Sequence, residues 1–206
     1  MQKFNTKKMV GLAMLTAIVV VLQMLGQFIR FGPFQISLVL VPIVVGAALY
    51  GYKSGAWLGL IFALVVLLNG DASAFLAVSP LGTILTVIAK GVLAGVCSGL
   101  VYDLLDDKKL FKKNNEYFAV IAAAIVCPLV NTGVFLIGCL LFFMEPVTEW
   151  ASIFGFGGNV AAYMFLGLAG GNFLFELLFN IFLSPVILRL IHYRRNSRGG
   201  KDDSGC

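Results

Sequence analysis

Long apolar runs separated by short polar breaks are the feature that most limits how this chain can fold. Several of them reach the roughly 20 residues that an α-helix needs to cross a 30 Å hydrocarbon core. Apolar residues make up 60% of the 206 and charged residues 12%, about half the charged fraction typical of soluble domains. The runs leave no stretch long enough for a separate soluble domain, so we expect one membrane domain.

The polar breaks divide the apolar runs into six predicted spans. The second and third form one apolar region from 34 to 68, interrupted by the glycine-bounded turn at 51–55, which is typical of a tight helical hairpin. The first run is too long for a secretory signal peptide, and we interpret it as a retained span. The spans cover residues 9–29, 35–50, 54–69, 81–103, 117–143 and 159–191, within a six-span membrane domain of residues 1–193 that precedes a polar cytoplasmic tail of residues 194–206.

The basic residues predict the orientation, because short cytoplasmic segments are enriched in Lys and Arg. With six spans, Arg30 falls on one side, Lys90 lies within the membrane, and the other Lys and Arg residues share the opposite side. A single span over 34–68 would instead place the lysines of 108–113 opposite the basic N-terminus. We therefore predict an all-α membrane protein, a six-transmembrane-helix bundle with both termini cytoplasmic. The residues on the cytoplasmic side are Lys3, Lys7, Lys8, Lys53, Lys108, Lys109, Lys112, Lys113, Arg189, Arg194, Arg195, Arg198 and Lys201.

Several function classes do not fit this composition. The formal net charge of +5 comes from basic clusters beside apolar runs, where anionic headgroups are the expected counter-ions, so no nucleic-acid partner is predicted. Cys97, Cys127 and Cys139 lie in apolar segments without CxxC spacing, and His192 is the single histidine. We predict no metal site, no cofactor and no catalytic constellation, and therefore no enzyme.

Ionisable and amide side chains nevertheless occur at membrane depth. A Lys or Glu at the centre of a membrane helix costs about 2.5–3.5 kcal/mol, so such residues normally face a partner or a wet cavity. Lys90 lies in the fourth span with Thr86 on the same face. On the sixth span Asn172, Glu176 and Asn180 are spaced four apart and form one polar stripe.

Asn131, which follows Pro128 in the fifth span, lies at a similar depth. Spans four, five and six are therefore predicted to converge on a polar pocket that opens toward the outward loops. Either Lys90 pairs with Glu176 and the asparagines bridge helices, or Lys90 offers its charge to a ligand carboxylate while the asparagines bind the polar body of the ligand. The predicted substrate-binding residues are Thr86, Lys90, Asn131, Trp150, Asn172 and Glu176.

The predicted outward loops, residues 30–34, 70–80 and 145–158, contain aromatic residues among small ones. Phe75 lies in the second loop, and Trp150, Phe154 and Phe156 lie in the third. Interfacial anchoring explains them, since aromatic side chains collect at headgroup depth. The alternative is a set of lids that close over a flat ligand.

Small residues at four-residue spacing predict close approach of helices. Ala13 and Ala17 form a flat patch on the first span. For two glycine series we expect packing inside the bundle instead. These series are Gly51, Gly55 and Gly59, and Gly91, Gly95 and Gly99.

Over nearly its whole length the sequence resembles the substrate-binding S components of the energy-coupling factor (ECF) vitamin transporters. The resemblance rests on AMLTA at 13–17, which matches the AxxxA pattern of the first span, on VPIVVGAALYGYKSG at 41–55, on PLVNTGVF at 128–135 and on the basic tail. It implies a six-helix bundle that docks through Ala13 and Ala17 on a membrane scaffold subunit carried by two ATPases. It also implies that the whole subunit tilts to move its bound solute.

The expected function is the high-affinity capture of a small vitamin-like solute for an ATP-driven importer in the plasma membrane. The sequence has no G-x-x-x-x-G-K-[ST] phosphate loop, so ATP chemistry is expected from partners. A pocket lysine favours an anion, with pantothenate as the first expectation and folate-like and riboflavin-like solutes behind it. The alternatives are a stand-alone ion- or proton-coupled carrier or channel that uses Lys90 and Glu176, and an assembly factor without a ligand.

Overall fold

Helices form almost all of the chain, because an apolar segment in lipid must satisfy its backbone hydrogen bonds internally. The structure, a computed structural model, describes residues 6–26, 30–31, 34–35, 38–107 and 115–199. Within these ranges, two short strands, β1 (Arg30–Phe31) and β2 (Phe34–Gln35), pair antiparallel. The helices are α1 (Thr6–Gly26), α2 (Leu40–Tyr50), α3 (Tyr52–Leu68), α4 (Ser73–Val78), α5 (Pro80–Asp107), α6 (Asn115–Phe142), α7 (Met144–Ile153), α8 (Val160–Ala162), a π-helix (Tyr163–Gly170) and α9 (Gly171–Gly199).

Within the described residues, each of the six predicted spans contains a helix, which fits the predicted all-α membrane fold. The second predicted span starts too early, because Gln35 belongs to β2 and α2 begins at Leu40. In the described ranges, four segments are long and apolar enough to cross a bilayer, namely Thr6–Gly26, Pro80–Asp106, Glu116–Phe142 and Val160–Tyr193. The helices α2 and α3 are apolar but shorter, with 11 and 17 residues. The number of crossings and the side of the termini therefore stay predictions. The lysines of 108–113 and the end of the tail, residues 200–206, lie outside the described residues.

A single residue, Gly51, separates α2 from α3. Its φ of +89° lies in the left-handed region that favours glycine, and its N–H donates to the Ala47 carbonyl at 2.9 Å. Lys8 Nζ donates to the Tyr50 carbonyl at 2.9 Å, a favourable place for a cation because a helix C-terminus carries partial negative charge. The turn predicted for residues 51–55 is therefore Gly51 alone, because α3 already begins at Tyr52. Gly51 forms this turn and does not take part in helix packing, since a Cβ added there would meet no atom within 4 Å.

The helices α3 and α5 pack backbone against backbone. A Cβ added at Gly59 would lie 2.0 Å from the Gly91 carbonyl oxygen, and one added at Gly95 would lie 2.1 Å from that of Gly55. Below Gly95, a Cβ at Gly99 would lie 2.5 Å from the Cα of Tyr52. The predicted packing role of these glycines is confirmed, and the contact fixes α5 against α3.

The last long segment differs from the plain span predicted for residues 159–191. Its residues Tyr163–Gly170 form a π-helix, a wider helical form that is frequently found at functional sites. A Cβ at Gly170 would lie 2.6 Å from the Phe165 carbonyl oxygen, so glycine suits this position. The α-helix that follows continues to Gly199, beyond the predicted end of the span.

Burial follows the pattern expected in lipid, with polar side chains inside and large apolar ones outside. Glu176 and Asn180 on α9 are each 1% exposed, whereas Phe182 on the same helix is 78% exposed. Two apolar clusters flank the polar interior. Cys127 lies in the first and Cys139 in the second, as expected of small apolar side chains.

The contact between α3 and α5 yields a first prediction. Gly95→Ala should lower the free energy of unfolding by about 1–3 kcal/mol, because the new methyl group must push the two backbones apart. The matched control is Gly133→Ala on α6, where an added Cβ meets no atom within 4 Å and alanine improves helix propensity by up to about 1 kcal/mol. Thermal unfolding in detergent measures both. Equal melting temperatures for the two variants would contradict the close contact.

Candidate functional site

A cavity of about 180 Å³ lies inside one half of the bundle. Its walls come from the C-terminal halves of α1, α3 and α6, the N-terminal halves of α5 and α9, the π-helix, and the segment that carries α4. This volume exceeds what one or two buried waters need. Its walls combine apolar and aromatic side chains with a few polar groups, as small-molecule sites do.

Five of the six predicted substrate-binding residues line this cavity. They come from three helices, with Thr86 and Lys90 on α5, Asn131 on α6, and Asn172 and Glu176 on α9. These five side chains meet because α5, α6 and α9 all contribute to the walls of the cavity. The sixth residue, Trp150, does not line the cavity.

The Lys90 side chain lies between two aromatic rings. Its Nζ is 5.3 Å from the ring centre of Phe135 and 5.7 Å from that of Phe62, distances at which a cation is attracted to the face of a ring. In the part of the chain that the structure describes, Lys90 forms no salt bridge, although Glu176 and Asp71 interact with it electrostatically at longer range. The resting ion pair considered for Lys90 and Glu176 is therefore not closed at contact distance.

Glu176 is held in place by its own helix. Its Oε1 accepts a hydrogen bond from Asn172 Nδ2 at 3.1 Å, and Asn180 Nδ2 donates to the Glu176 backbone carbonyl at 2.8 Å. Asn131 of α6 also interacts with the carboxyl group, but Oε2 has no partner of good hydrogen-bond geometry. One carboxylate oxygen thus remains available to the cavity.

Four buried polar atoms on the cavity walls lack a hydrogen-bond partner in the described structure. A buried polar atom without a partner costs about 1–3 kcal/mol, so a cavity with several of them is suited to a polar occupant. Two are amide oxygens and one is a carboxylate oxygen, which accept hydrogen bonds. The atoms are Thr86 Oγ1, Asn131 Oδ1, Asn172 Oδ1 and Glu176 Oε2.

Among the amide and charged residues that line the cavity, the sequence analysis missed Gln23 and Asp71. Gln23 of α1 is 4% exposed, and its Nε2 donates to Asp71 Oδ2 at 2.7 Å. Asn69 Nδ2 donates to the same oxygen at 2.7 Å, so α1 is tied to the segment that follows α3. An amide within the apolar stretch 17–26 was a signal for Gln23, whereas the sequence gives no sign that Asp71 faces inward.

A cluster of aromatic rings forms part of the cavity wall. Phe75 on α4 makes edge-to-face contacts with Phe135, Phe143 and Trp150 at centroid distances of 5.6, 5.0 and 5.4 Å. Trp150 therefore contacts a residue of the cavity wall without lining the cavity itself. Phe154, in contrast, is largely exposed, as interfacial anchoring predicts.

The predicted docking patch on α1 lies outside the bundle. Ala13 and Ala17 are both exposed, and the neighbouring Met14 and Ile18 are exposed apolar side chains. Trp57 of α3 reaches the edge of this surface, where its Nε1 donates to Thr16 Oγ1 at 3.2 Å. The result is an apolar helix face with small residues near its centre.

Comparison with known proteins gives one family and one curated relative. The family described as "ECF transporter, substrate-specific component" matches residues 7–189. The pantothenic acid transporter PanT of Lactococcus lactis subsp. cremoris is 26% identical over 215 aligned positions, which cover 96% of this chain and 100% of that protein. The family match includes all of the cavity residues named above and both alanines of α1.

The Gln23–Asp71 contact can be tested with a double-mutant cycle. We expect Gln23→Leu and Asp71→Asn to couple by about 1 kcal/mol or more, because a hydrogen bond to a charged group contributes about 1.5–3 kcal/mol. The free energy of unfolding of the two single variants and the double variant gives the coupling. Additivity within about 0.5 kcal/mol would argue against a direct bond.

Proposed function

Because this chain belongs to the ECF transporter substrate-specific component family, we propose that it captures pantothenate, or a closely similar carboxylated vitamin, for an ATP-driven importer. Membership makes it a multi-pass membrane protein and a transporter component, not a member of an enzyme family. The solute, the docking surface and the partner subunits are the parts that we propose.

The position of Lys90 is the observation that carries the proposal. The half-buried ammonium group of Lys90 lies against two aromatic rings and forms no salt bridge in the described structure, so it can offer its charge to a ligand. A ligand carboxylate would replace the water that solvates such a group, at a depth where ion pairing is strong. An anionic solute therefore fits this cavity better than a neutral or cationic one.

The unpaired oxygens favour a ligand that also donates hydrogen bonds. Asn131 Oδ1 and Asn172 Oδ1 accept hydrogen bonds, so they suit hydroxyl and amide N–H groups. Pantothenate carries a carboxylate at one end and hydroxyl and amide donors along its length. The similar protein from Lactococcus lactis is a pantothenic acid transporter, which supports this choice, and Thr86 completes the polar wall.

We place the cavity on the outer side of the plasma membrane. The support is the distribution of basic residues, since nearly all of them gather on the opposite side when six crossings are assumed. In this arrangement the α2–α3 hairpin supplies the second and third crossings. Both termini are then cytoplasmic, and the segment with α4 and α7 lies where the solute enters.

Delivery of the solute is proposed to require partners. The exposed face of α1 with Ala13 and Ala17 can accept a helix at short distance, which suits docking on a membrane scaffold subunit. Two ATPase subunits bound to that scaffold would supply energy, since this sequence has no phosphate-binding loop.

The proposed ligand contact is tested by Lys90→Met. We expect pantothenate to bind about 10- to 150-fold more weakly, which corresponds to about 1.5–3 kcal/mol for a lost charge-assisted hydrogen bond. Lys53→Met, at an exposed lysine outside the cavity, should bind normally. Calorimetry on detergent-purified protein gives the affinities, and a melting curve without ligand checks the fold. Unchanged affinity in a folded Lys90 variant would make this residue structural.

The proposed docking surface is tested by Ala13→Trp. The bulky ring should prevent close approach of a partner helix, so the tagged variant should lose the scaffold and ATPase subunits on purification while it still binds pantothenate. Leu174→Trp, at an exposed position on α9, should retain them. Transport of pantothenate by the wild-type protein alone in liposomes would contradict the need for partners and favour a stand-alone carrier.

A further inference from the structure

The charges around the cavity do not balance once an anion enters. Lys90 and Glu176 both line it and, as a cation and an anion, they offset each other. Asp71 also lines the cavity, so a bound carboxylate would bring three negative charges against the one positive charge of Lys90 into a site of about 180 Å³. Two carboxylates that share a site of low polarity do not both stay ionised, because repulsion and poor solvation favour a proton on one of them.

We propose that the cavity binds its carboxylate solute together with one proton, which is carried by Glu176. This inference rests on the proposed binding of an anion. The step is a simple association, in which the ionised Glu176 side chain, the solute anion and one proton from solvent give a neutral carboxylic acid beside the bound anion. No bond of the solute is made or broken.

The geometry suits Glu176 as the proton carrier. Its Oε1 already accepts from Asn172 Nδ2, whereas Oε2 has no hydrogen-bond partner in the described structure and belongs to a side chain that is 1% exposed. A proton on Oε2 turns this acceptor into a donor. It can then bind an oxygen atom of the solute, or the unpaired Asn131 Oδ1 on α6.

The other ionisable groups near Glu176 leave it as the best carrier. Lys90 of α5 and Cys127 of α6 interact with it electrostatically, and Asp71 and Cys139 interact with Lys90 from farther away. Asp71 already accepts two amide hydrogen bonds at the mouth of the cavity.

A proton bound together with the solute gives the affinity a definite pH dependence. The complex holds one proton more than the separate protein and anion wherever free Glu176 is ionised, so binding weakens as the pH rises. In that range the affinity falls by up to about tenfold per pH unit. The solute itself contributes no such slope between pH 6 and pH 9, because a free carboxylic acid titrates near pH 4.

Calorimetry of pantothenate binding to the detergent-purified protein tests the proposal. Titrations at pH 6–9 in pairs of buffers with different ionisation enthalpies give the number of protons taken up with each pantothenate. We expect wild-type uptake to approach one proton at the alkaline end. Glu176→Gln, whose amide resembles the neutral acid, should bind pantothenate without proton uptake and with an affinity that does not change between pH 6 and pH 9. Glu149→Gln on α7, an exposed acid, should behave as wild type.

Three results would overturn the inference while leaving anion capture intact. They are wild-type binding without proton uptake at every pH, uptake that persists in Glu176→Gln, and loss of binding in a Glu176→Gln variant that melts like wild type. The measurement of proton uptake by the wild-type protein needs no variant, so it tests the inference even if Glu176→Gln does not fold. Absence of pantothenate binding by the wild type at every pH would instead contradict the proposed function, and the inference with it.

Discussion

The hydrocarbon interior of a bilayer offers neither hydrogen-bond partners nor counter-charges, and the arrangement of this protein follows from that constraint. Backbone groups satisfy one another within helices, and apolar side chains such as Phe182 face outward. Polar side chains must turn toward the interior, where Asn172, Glu176 and Asn180 lie along one face of α9. Ionisable side chains inside a membrane protein are energetically unfavourable, so they usually mark a functional site.

Close packing decides where that polar interior becomes a cavity. The glycine contact between α3 and α5 holds the two backbones together, and it brings Phe62 of α3 beside Lys90 of α5. The helices α6 and α9 add Asn131 and Glu176 to the walls of the cavity. Phe75 lines the cavity too, and its ring contacts those of Phe135, Phe143 and Trp150. The cavity therefore lies between helices that are themselves closely packed.

The electrostatics of the cavity explain why a ligand is expected at all. A lysine and a glutamate that were buried only for stability would be expected to close into a salt bridge, because separated charges in a dry interior are costly. In the described structure Lys90 instead contacts two aromatic rings, and Glu176 keeps one oxygen unpaired. In the function that we propose, a negatively charged solute pairs with Lys90, and a proton on Glu176 reduces the excess of negative charge that the solute and Asp71 create.

Local patterns in the sequence determined the helices, the polar stripe of α9, the small-residue contacts and the depth of Lys90, because hydropathy and spacing act over a few residues. Five cavity residues could be predicted for this reason. The sequence could not place Trp150 behind Phe75, join Gln23 to Asp71, or introduce the π-helix before Asn172. Those features depend on how distant segments approach and rotate against one another, and packing in three dimensions sets that approach. The tertiary structure alone decided that Lys90 and Glu176 stay apart. The hydropathy pattern of a helix predicts which face is buried, but it does not determine the distance to a neighbouring helix.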